Sequence, residues 1–339
     1  MTTRAFIAGC SGLELTPDEI AFFREASPWG FILFRRNVDT PQQVRALCEA
    51  LRETVGRADA PILIDQEGGR VQRMGPPHWP KYPSGRAYGG LHADEPLLQR
   101  ELARLGARLI AHDLRSVGVT VDCLPVLDVP SPGAHDVIGD RAYGQTPEKV
   151  AVLGRAAAEG LLAGGVLPVI KHMPGHGRAG ADSHLALPVV DASREELEKH
   201  DFAPFRMLTD MPLAMTAHVV YTALDPERPA TTSRIVMDEI IRGHIGYDGL
   251  VMTDDLSMHA LSGSFRERTE AVFAAGCDMA LHCNGEMGEM TAVAGAAPVL
   301  AGDCLRRAEA ALARIRHEPE PLDPVDARAR LDAALAAIA

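Results

Sequence analysis

The sequence predicts a (β/α)8 barrel of the TIM type, followed by extra C-terminal helices. The first observation is that short apolar runs alternate with amphipathic helical segments, about eight times along the chain. The second is that no G-x-G-x-x-G turn follows a predicted strand, which weakens the alternative of a doubly wound open sheet. The third is that no linker rich in proline or serine divides the 339 residues. We therefore expect residues 1–339 to form a single domain.

Each predicted strand is a short apolar run, and the segments between the strands have apolar residues at helical spacing. The strands are expected at Arg4–Gly9, Gly30–Phe34, Pro61–Asp65, Val119–Leu127, Val166–Ile170, Leu213–Val219, Gly249–Thr253 and Asp278–His282. Many helices begin with Thr, Asp or Ser near a Pro or Glu, which is a helix N-terminal signal. The helices are expected at Pro17–Glu25, Thr40–Val55, Pro96–Val117, Pro147–Ala163, Ser193–Leu208, Ser233–Gly243 and Phe265–Ala275. The tail from Glu286 to Ala339 should add the eighth helix and further helices that pack over the barrel.

Charge and cysteine usage narrow the class of protein. The formal net charge of −12, without any block of lysine and arginine, argues against nucleic acid as the main partner. Residues Met1–Gly12 do not resemble a signal peptide, and no run of about eighteen apolar residues exists to span a membrane. The six cysteines lack C-x-x-C spacing, so neither a zinc site nor a disulfide framework is indicated. We expect reduced thiols in a cytoplasmic protein that has no membrane partner.

The stretch Ile170–Pro188 concentrates reactive side chains: three histidines, a lysine, an arginine and an aspartate among glycines and prolines. Lys171 and His172 fall at the C-terminal end of the fifth predicted strand, where α/β barrels build their sites. His172 and His176 have the i, i+4 spacing of a helical metal pair. The proline and glycine between them make a helix improbable, which removes the geometric reason for zinc ligation.

Asp182 and His184 lie two residues apart in the same stretch. In an extended segment this spacing puts both side chains on one face, with Ser183 on the other. The carboxylate would orient the imidazole and stabilise its charge. We interpret the pair as a proton-transfer unit.

Polar residues follow most of the other predicted strands, and a barrel would gather them at one end. They are Arg35, Arg36, Asn37, Asp65, Glu67, Arg70, Arg73, Asp128, Asp136, Asp140, Arg141, His218, Asp254, Asp255, His282 and Asn284. Two like charges such as Asp254 and Asp255 seldom both point into a site. We expect one of them to face a ligand while its neighbour hydrogen-bonds backbone or a base, and the sequence does not say which.

Seven motifs, in this order, resemble those of the family 3 glycoside hydrolases, and most closely the single-domain bacterial β-N-acetylglucosaminidases of peptidoglycan recycling. They are GFILFRRNV (Gly30–Val38), IDQEGGRVQR (Ile64–Arg73), IGDRAYG (Ile138–Gly144), KHMPGHG (Lys171–Gly177), ADSH (Ala181–His184), TAHVVY (Thr216–Tyr221) and TDDLSM (Thr253–Met258). The likeness covers about the whole chain. Two positions depart from the family pattern: Met173 stands where phenylalanine is usual, and Arg178 where a small or acidic residue is common.

The resemblance implies a retaining exo-glycosidase with Asp254 as nucleophile and His184, assisted by Asp182, as acid/base. It assigns sugar binding to Asp65, Arg73, Arg141, Lys171 and His172. A histidine suits proton transfer in either direction near neutrality because its unperturbed pKa is ~6.5. The implied substrate is a small aminosugar glycoside, namely an N-acetylglucosaminyl–anhydro-N-acetylmuramyl peptide. No metal or organic cofactor is required, and we expect a monomer.

Three other functions remain open at this point. A metal-dependent hydrolase would use as ligands His172, His176, Asp182, His184, His218 and Asp254, but barrels of that class usually carry an H-x-H pair after the first strand, and none is present. A phosphorylase would keep the same site, because a neutral histidine repels phosphate less than a carboxylate does. A non-catalytic sugar-binding barrel would give the Asp182–His184 pair no role.

Overall fold

The computed structural model describes residues 2–92, 94–133, 135–181, 183 and 186–336. Eight parallel strands form a closed barrel in which each strand pairs with its neighbours in sequence and the last pairs with the first. We label them β1–β8; they span Arg4–Gly9, Pro28–Leu33, Ile62–Ile64, Val121–Asp122, Leu167–Met173, Leu213–Thr216, Leu250–Asp255 and Met279–His282. The predicted barrel is confirmed.

Side chains along the strands alternate between two hydrophobic clusters, because successive residues of a strand point to opposite faces. Leu63, Val169 and Met252 belong to the cluster that fills the barrel. Ile170 and Val251 belong to the larger cluster between the strands and the surrounding helices. The register is interrupted near two strand ends, between Ile170 and Met173 of β5 and between Met252 and Asp255 of β7.

Eleven α-helices, α1–α11, are found in the described residues. They span Pro17–Ala26, Pro41–Val55, Gly85–Gly90, Pro96–Ser116, Pro147–Ala163, Arg194–Lys199, Ala203–Met207, Phe265–Ala275, Met287–Ala296, Gly302–Ala313 and Pro324–Ala336. Caps of the predicted kind begin five of them, with the hydroxyl of Thr16, Thr40, Thr146, Ser193 or Ser264 accepting from the backbone N–H three residues on. No helix in the described ranges is long and apolar enough to cross a membrane.

Several predicted boundaries were wrong; the sixth strand, for example, ends at Thr216 instead of Val219. The fifth strand runs on to Met173 instead of ending at Ile170. The fourth is only Val121–Asp122, although backbone pairing with β5 resumes where the N–H of Leu127 donates to the carbonyl of Lys171 (2.7 Å). The helix predicted at 193–208 is broken into α6 and α7; Pro204, at the start of α7, lacks the N–H that continuation would need. The segment predicted as a helix at 233–243 forms π-helical turns over Val236–His244.

The C-terminal helices pack over the barrel as predicted, and α11 reaches a hairpin next to the barrel mouth. Gln66–Gly68 pairs antiparallel with Val71–Gln72 in what we call the Gln66–Gln72 hairpin. Tyr82 brackets this hairpin: its N–H donates to Gln72 (2.9 Å) and its carbonyl accepts from Gly69 (2.8 Å). Arg328 of α11 donates to the Tyr82 hydroxyl (2.6 Å). The final helix therefore braces the hairpin.

Candidate active site

The polar site lies at the C-terminal end of the barrel. Asp65 follows Leu63 by two residues, and because Leu63 fills the barrel, the strand period turns Asp65 toward the barrel mouth. The register of β5 against β6 shifts between Ile170 and Met173, and that of β7 against β8 shifts between Met252 and Asp255, so the strands are irregular where they carry Lys171 and Asp254. Contacts place these two residues in the site: Lys171 binds Asp65, and the charges of His172 and Lys171 act on Asp254.

Lys171 is a deeply buried cation, with 2% of its side chain exposed. Its ammonium donates to Asp65 Oδ1 (2.9 Å), while Arg73 donates to Asp65 Oδ2 (2.9 Å). Burial alone would raise the pKa of Asp65, but the two cations hold it well below its ordinary value. Burial would likewise lower the pKa of Lys171, and the facing carboxylates raise it instead. Asp65 and Lys171 are therefore both charged.

Glu67 is a member of the site to which no role was assigned from the sequence. Its carboxylate accepts two hydrogen bonds from Arg141 (2.8 and 2.7 Å) and lies 2.6 Å from Lys171 Nζ. Burial would raise the pKa of Glu67, yet the charges of Arg141 and Lys171 lower it to about 2. Glu67 thus joins two residues predicted to bind sugar. The available signal was its place two residues after Asp65.

Asp128 is the second residue whose role was missed. It is fully buried, and its carboxylate accepts from the ring Nδ1 of His172 (2.7 Å) and from the backbone N–H groups of His172 (3.2 Å) and His176 (2.6 Å). Burial would raise its pKa, but the two histidines lower it to about 2. The Asp128 carboxylate therefore fixes the orientation of the His172 ring and turns its Nε2 toward other partners.

Asp254 and Asp255 have different surroundings. Asp255 accepts from the backbone N–H groups of Ser257 (3.0 Å) and Cys283 (3.1 Å), and also from the Ser257 hydroxyl. Asp254 accepts from the N–H of Asp255 (2.8 Å). Burial would raise the pKa of Asp254, but the charges of His172 and of His218 are foremost among those that lower it. Asp254 is thus an ionised carboxylate with capacity to bind or attack a ligand.

The predicted acid/base residues, Asp182 and His184, lie outside the described residues. Ser183, between them, is described and buried. Its hydroxyl lies 3.4 Å from Nε2 of His176, and its carbonyl accepts from the N–H of Ala260 in the loop after β7 (3.2 Å). Burial lowers the pKa of His176 to about 4, so this imidazole is neutral at pH 7.

The departure at Arg178 is accommodated by a local ion pair. Arg178 Nε donates to Asp201 Oδ2 (2.6 Å), and Asp201 is almost fully buried just before α7. Gly177, next to it, packs so closely on the chain that an added Cβ would lie 2.0 Å from the carbonyl oxygen of Val129. The first part of the Ile170–Pro188 stretch is therefore tied to the loop after β4 and to the segment between α6 and α7.

The assembled groups can grip a polyhydroxylated ligand and present a carboxylate to it. Cations and carboxylates alternate around the mouth, so hydroxyl groups find both donors and acceptors there. Within the part of the chain that the structure describes, no three His, Cys, Asp or Glu side chains are grouped to hold a metal ion. His172, one ligand of the metal-hydrolase alternative, has its Nδ1 engaged by Asp128.

Comparisons with known proteins give one consistent result. Residues 27–316 match the sequence model of the glycosyl hydrolase family 3 N terminal domain. A β-hexosaminidase of Pseudomonas aeruginosa is 41% identical over 276 residues, 80% of each chain. A β-hexosaminidase of Alkalilimnicola ehrlichii is 38% identical over 321 residues, 94% of this chain and 84% of the relative. NagZ from Neisseria gonorrhoeae, solved with N-trifluoroacetyl-D-glucosamine, superposes with a TM-score of 0.85 at 31% identity, over 100% of this chain and 98% of that one.

Replacing Asp128 with Asn should lower the free energy of unfolding by roughly 1–3 kcal/mol, because an amide oxygen replaces a charged acceptor of three hydrogen bonds. It should also change the imidazole ¹⁵N shifts of His172, since the amide NH₂ cannot accept from Nδ1. Urea unfolding and NMR measure the two effects. The matched control is Asp278→Asn, a buried carboxylate just before β8, at the other end of the barrel. It should cost stability and leave the His172 signals in place; unchanged signals in both variants would contradict this role of Asp128.

Protonation of His176 should make the protein less stable in mild acid. Its pKa is about 4 in the folded state and ~6.5 unfolded, so between these values the unfolded chain binds more protons. Stability should therefore fall as the pH is lowered from 6.5 to 4, by roughly 3 kcal/mol for this group. His176→Gln should remove that part of the slope in urea unfolding curves. If the free energy of unfolding depended on pH in the same way in the wild type and in His176→Gln, the low pKa of His176 would be disproved.

Proposed function

The chain belongs to glycosyl hydrolase family 3, and from that premise we propose a retaining mechanism centred on Asp254. The protein is an exo-β-N-acetylglucosaminidase, a glycoside hydrolase of the β-N-acetylhexosaminidase class. The observation that supports the mechanism best is the ionised Asp254 carboxylate at the end of β7, beside a buried set of charged side chains. The neighbouring Asp255 has both carboxylate oxygens engaged by Ser257 and Cys283, which favours Asp254 as the attacking group.

In the proposed first step, a carboxylate oxygen of Asp254 attacks the anomeric carbon while the bond to the leaving oxygen breaks. His184 gives its proton to that oxygen, and Asp182 stabilises the imidazolium beforehand. In the second step, His184 takes a proton from water, which attacks the anomeric carbon and releases Asp254. Two inversions leave the configuration unchanged. The roles of Asp182 and His184 follow from the family resemblance.

The proposed sugar grip consists of Asp65, Arg73, Arg141, Lys171 and His172. Salt bridges among these residues and Glu67 hold the long side chains in place before the sugar arrives. Preorganised donors and acceptors reduce the entropy lost on binding. We propose that this set binds the hydroxyl groups and the acetamido group of the terminal N-acetylglucosamine.

The proposed natural substrate is an N-acetylglucosaminyl–anhydro-N-acetylmuramyl peptide, cleaved during peptidoglycan recycling. The motif resemblance to the recycling enzymes supports this, and so does the structural likeness to NagZ. We further propose that residues 1–339 form one catalytic domain and that the enzyme works as a monomer in the cytoplasm.

Asp254→Asn should lower kcat for an aryl β-N-acetylglucosaminide by at least about 10³-fold, because the amide cannot form the glycosyl ester. Steady-state hydrolysis measures the loss. Asp255→Asn serves as the matched control, and its effect should be far smaller. A fluorinated mechanism-based substrate should label Asp254, as read by peptide mass spectrometry; a label on Asp255 would overturn the assignment. Activity that is abolished by a chelator would instead favour a metal-dependent hydrolase.

His184→Ala should reduce the rate of hydrolysis most for substrates whose leaving group is most basic. A sugar leaving group needs a proton and should lose most of its rate, whereas formation of the covalent intermediate from a dinitrophenyl glycoside should be much less impaired. Pre-steady-state release of dinitrophenol isolates that step. An equal loss for both leaving groups would mean that His184 has a structural or sugar-binding role.

A further inference from the structure

The backbone that carries Asp254 is interrupted in its pairing with both neighbouring strands. The registered pairs of β6 and β7 begin at Leu213 and Leu250 and end at Met215 and Met252. On the other side, the register of β7 against β8 shifts between Met252 and Asp255. Regular strand pairing therefore does not fix the direction of the Asp254 carboxylate, and bonds from side chains take over that task.

Asp255 is held from both sides by such bonds. Its carboxylate accepts from the N–H of Cys283, just after β8 (3.1 Å). Its carbonyl accepts from Nε2 of His218, two residues after the end of β6 (3.0 Å), and from the N–H of Met258 (3.2 Å). The N–H of the same residue donates to Oδ1 of Asp254 (2.8 Å). Whatever fixes the backbone of Asp255 therefore also aims the Asp254 carboxylate.

The ring of His218 is oriented by a chain of hydroxyl groups in the loop after β6. Nε2 faces a carbonyl oxygen, which can only accept, so Nε2 carries a hydrogen. Nδ1 lies 2.7 Å from the hydroxyl of Thr231, which in turn lies 2.8 Å from the hydroxyl of Thr216. Burial lowers the pKa of His218, which favours the neutral ring, and in that form Nδ1 accepts from Thr231. Thr231 thus selects the tautomer that can hold Asp255.

His218 has no exposed surface, although it lies next to the barrel mouth. Its two ring nitrogens are engaged by Asp255 and Thr231, so neither is left to bind a hydroxyl group of the sugar. Any influence of His218 on the reaction must therefore pass through the backbone of Asp255.

We propose that His218 is a positioning residue for the nucleophile: through the carbonyl of Asp255 it holds the N–H group that aims the Asp254 carboxylate. The inference rests on the proposed function, because it takes Asp254 as the attacking group. A misplacement of about 1 Å can cost about 10²-fold in rate when a reacting group must meet its target in a set geometry. Since His218 does not touch the sugar, its loss should affect the chemical step and not the binding of N-acetylglucosamine.

His218→Leu tests this role, because leucine nearly preserves the volume and cannot donate to the carbonyl of Asp255. That carbonyl keeps the N–H of Met258, and the hydroxyl of Thr231 keeps the carbonyl of Ala217 (3.0 Å) as its acceptor. Pre-steady-state release of dinitrophenol from the aryl glycoside should become roughly 10- to 100-fold slower. The inhibition constant of N-acetylglucosamine should stay unchanged. His218→Gln, whose amide can donate in place of Nε2, should recover much of the rate.

Thr231→Val provides a second test at a residue one step further from the site. It removes the hydroxyl that selects the His218 tautomer and keeps the shape of the side chain, so it should slow the same step by a smaller factor. If Thr231 acts through His218, the double variant should be no slower than His218→Leu alone. Losses of rate that multiply in the double variant would contradict this order of action.

The matched control is His282→Leu, at another fully buried histidine, whose Nε2 contacts Glu289 of α9 (3.0 Å). It should lower the stability in urea unfolding and leave the release of dinitrophenol unchanged. An unchanged rate in His218→Leu, an equal loss of rate in His282→Leu, or weaker binding of N-acetylglucosamine that matches the loss of rate would overturn the proposed role. A wild-type enzyme that forms no covalent intermediate on Asp254 would instead contradict the proposed function, so the two failures are distinguishable.

Discussion

The buried ammonium of Lys171 is the charge around which the barrel mouth is arranged. An unpaired charge at that depth would cost several kcal/mol, so the fold must bring carboxylates to it. Asp65 and Glu67 both do so, and each in turn holds an arginine, Arg73 and Arg141. One electrostatic requirement thereby orders side chains from β5, the Gln66–Gln72 hairpin and the loop after β4. The side chains proposed to bind the sugar are thus part of a network that also neutralises a buried charge of the barrel.

The division of labour between Asp254 and Asp255 follows from the strand as much as from charge. The register of β7 against β8 shifts between Met252 and Asp255, at the point where the two aspartates separate. Asp254 is left beside His172 and His218, whereas Asp255 binds the backbone of the adjacent β8 end through Cys283. An aspartate pair at the end of a strand can therefore supply one reactive carboxylate and one structural carboxylate without like charges meeting in the site.

Most of the fold could be predicted from the sequence, and so could several charged residues that meet at the barrel mouth, whereas their contacts could not. Short apolar runs identify the strands directly, and polar residues that follow them identify candidates for the barrel mouth, but the choice between Asp254 and Asp255 could not be made from the sequence. The roles of Glu67 and Asp128 depend on which strands become neighbours and on how irregular backbone continues past β4. These neighbour contacts form only when the barrel closes, so the sequence pattern of one strand does not contain them. The π-helical turns at Val236–His244 were predicted as an ordinary helix, because the apolar spacing of this segment is compatible with both forms.

The brace between α11 and the Gln66–Gln72 hairpin links residues that are 246 positions apart, Tyr82 and Arg328. During synthesis on the ribosome the hairpin emerges long before the helix that braces it. The strands that carry Asp65, Lys171 and Asp254 are also made before that helix. The hairpin that carries Glu67 therefore gains its brace only after all three of those strands have been synthesised.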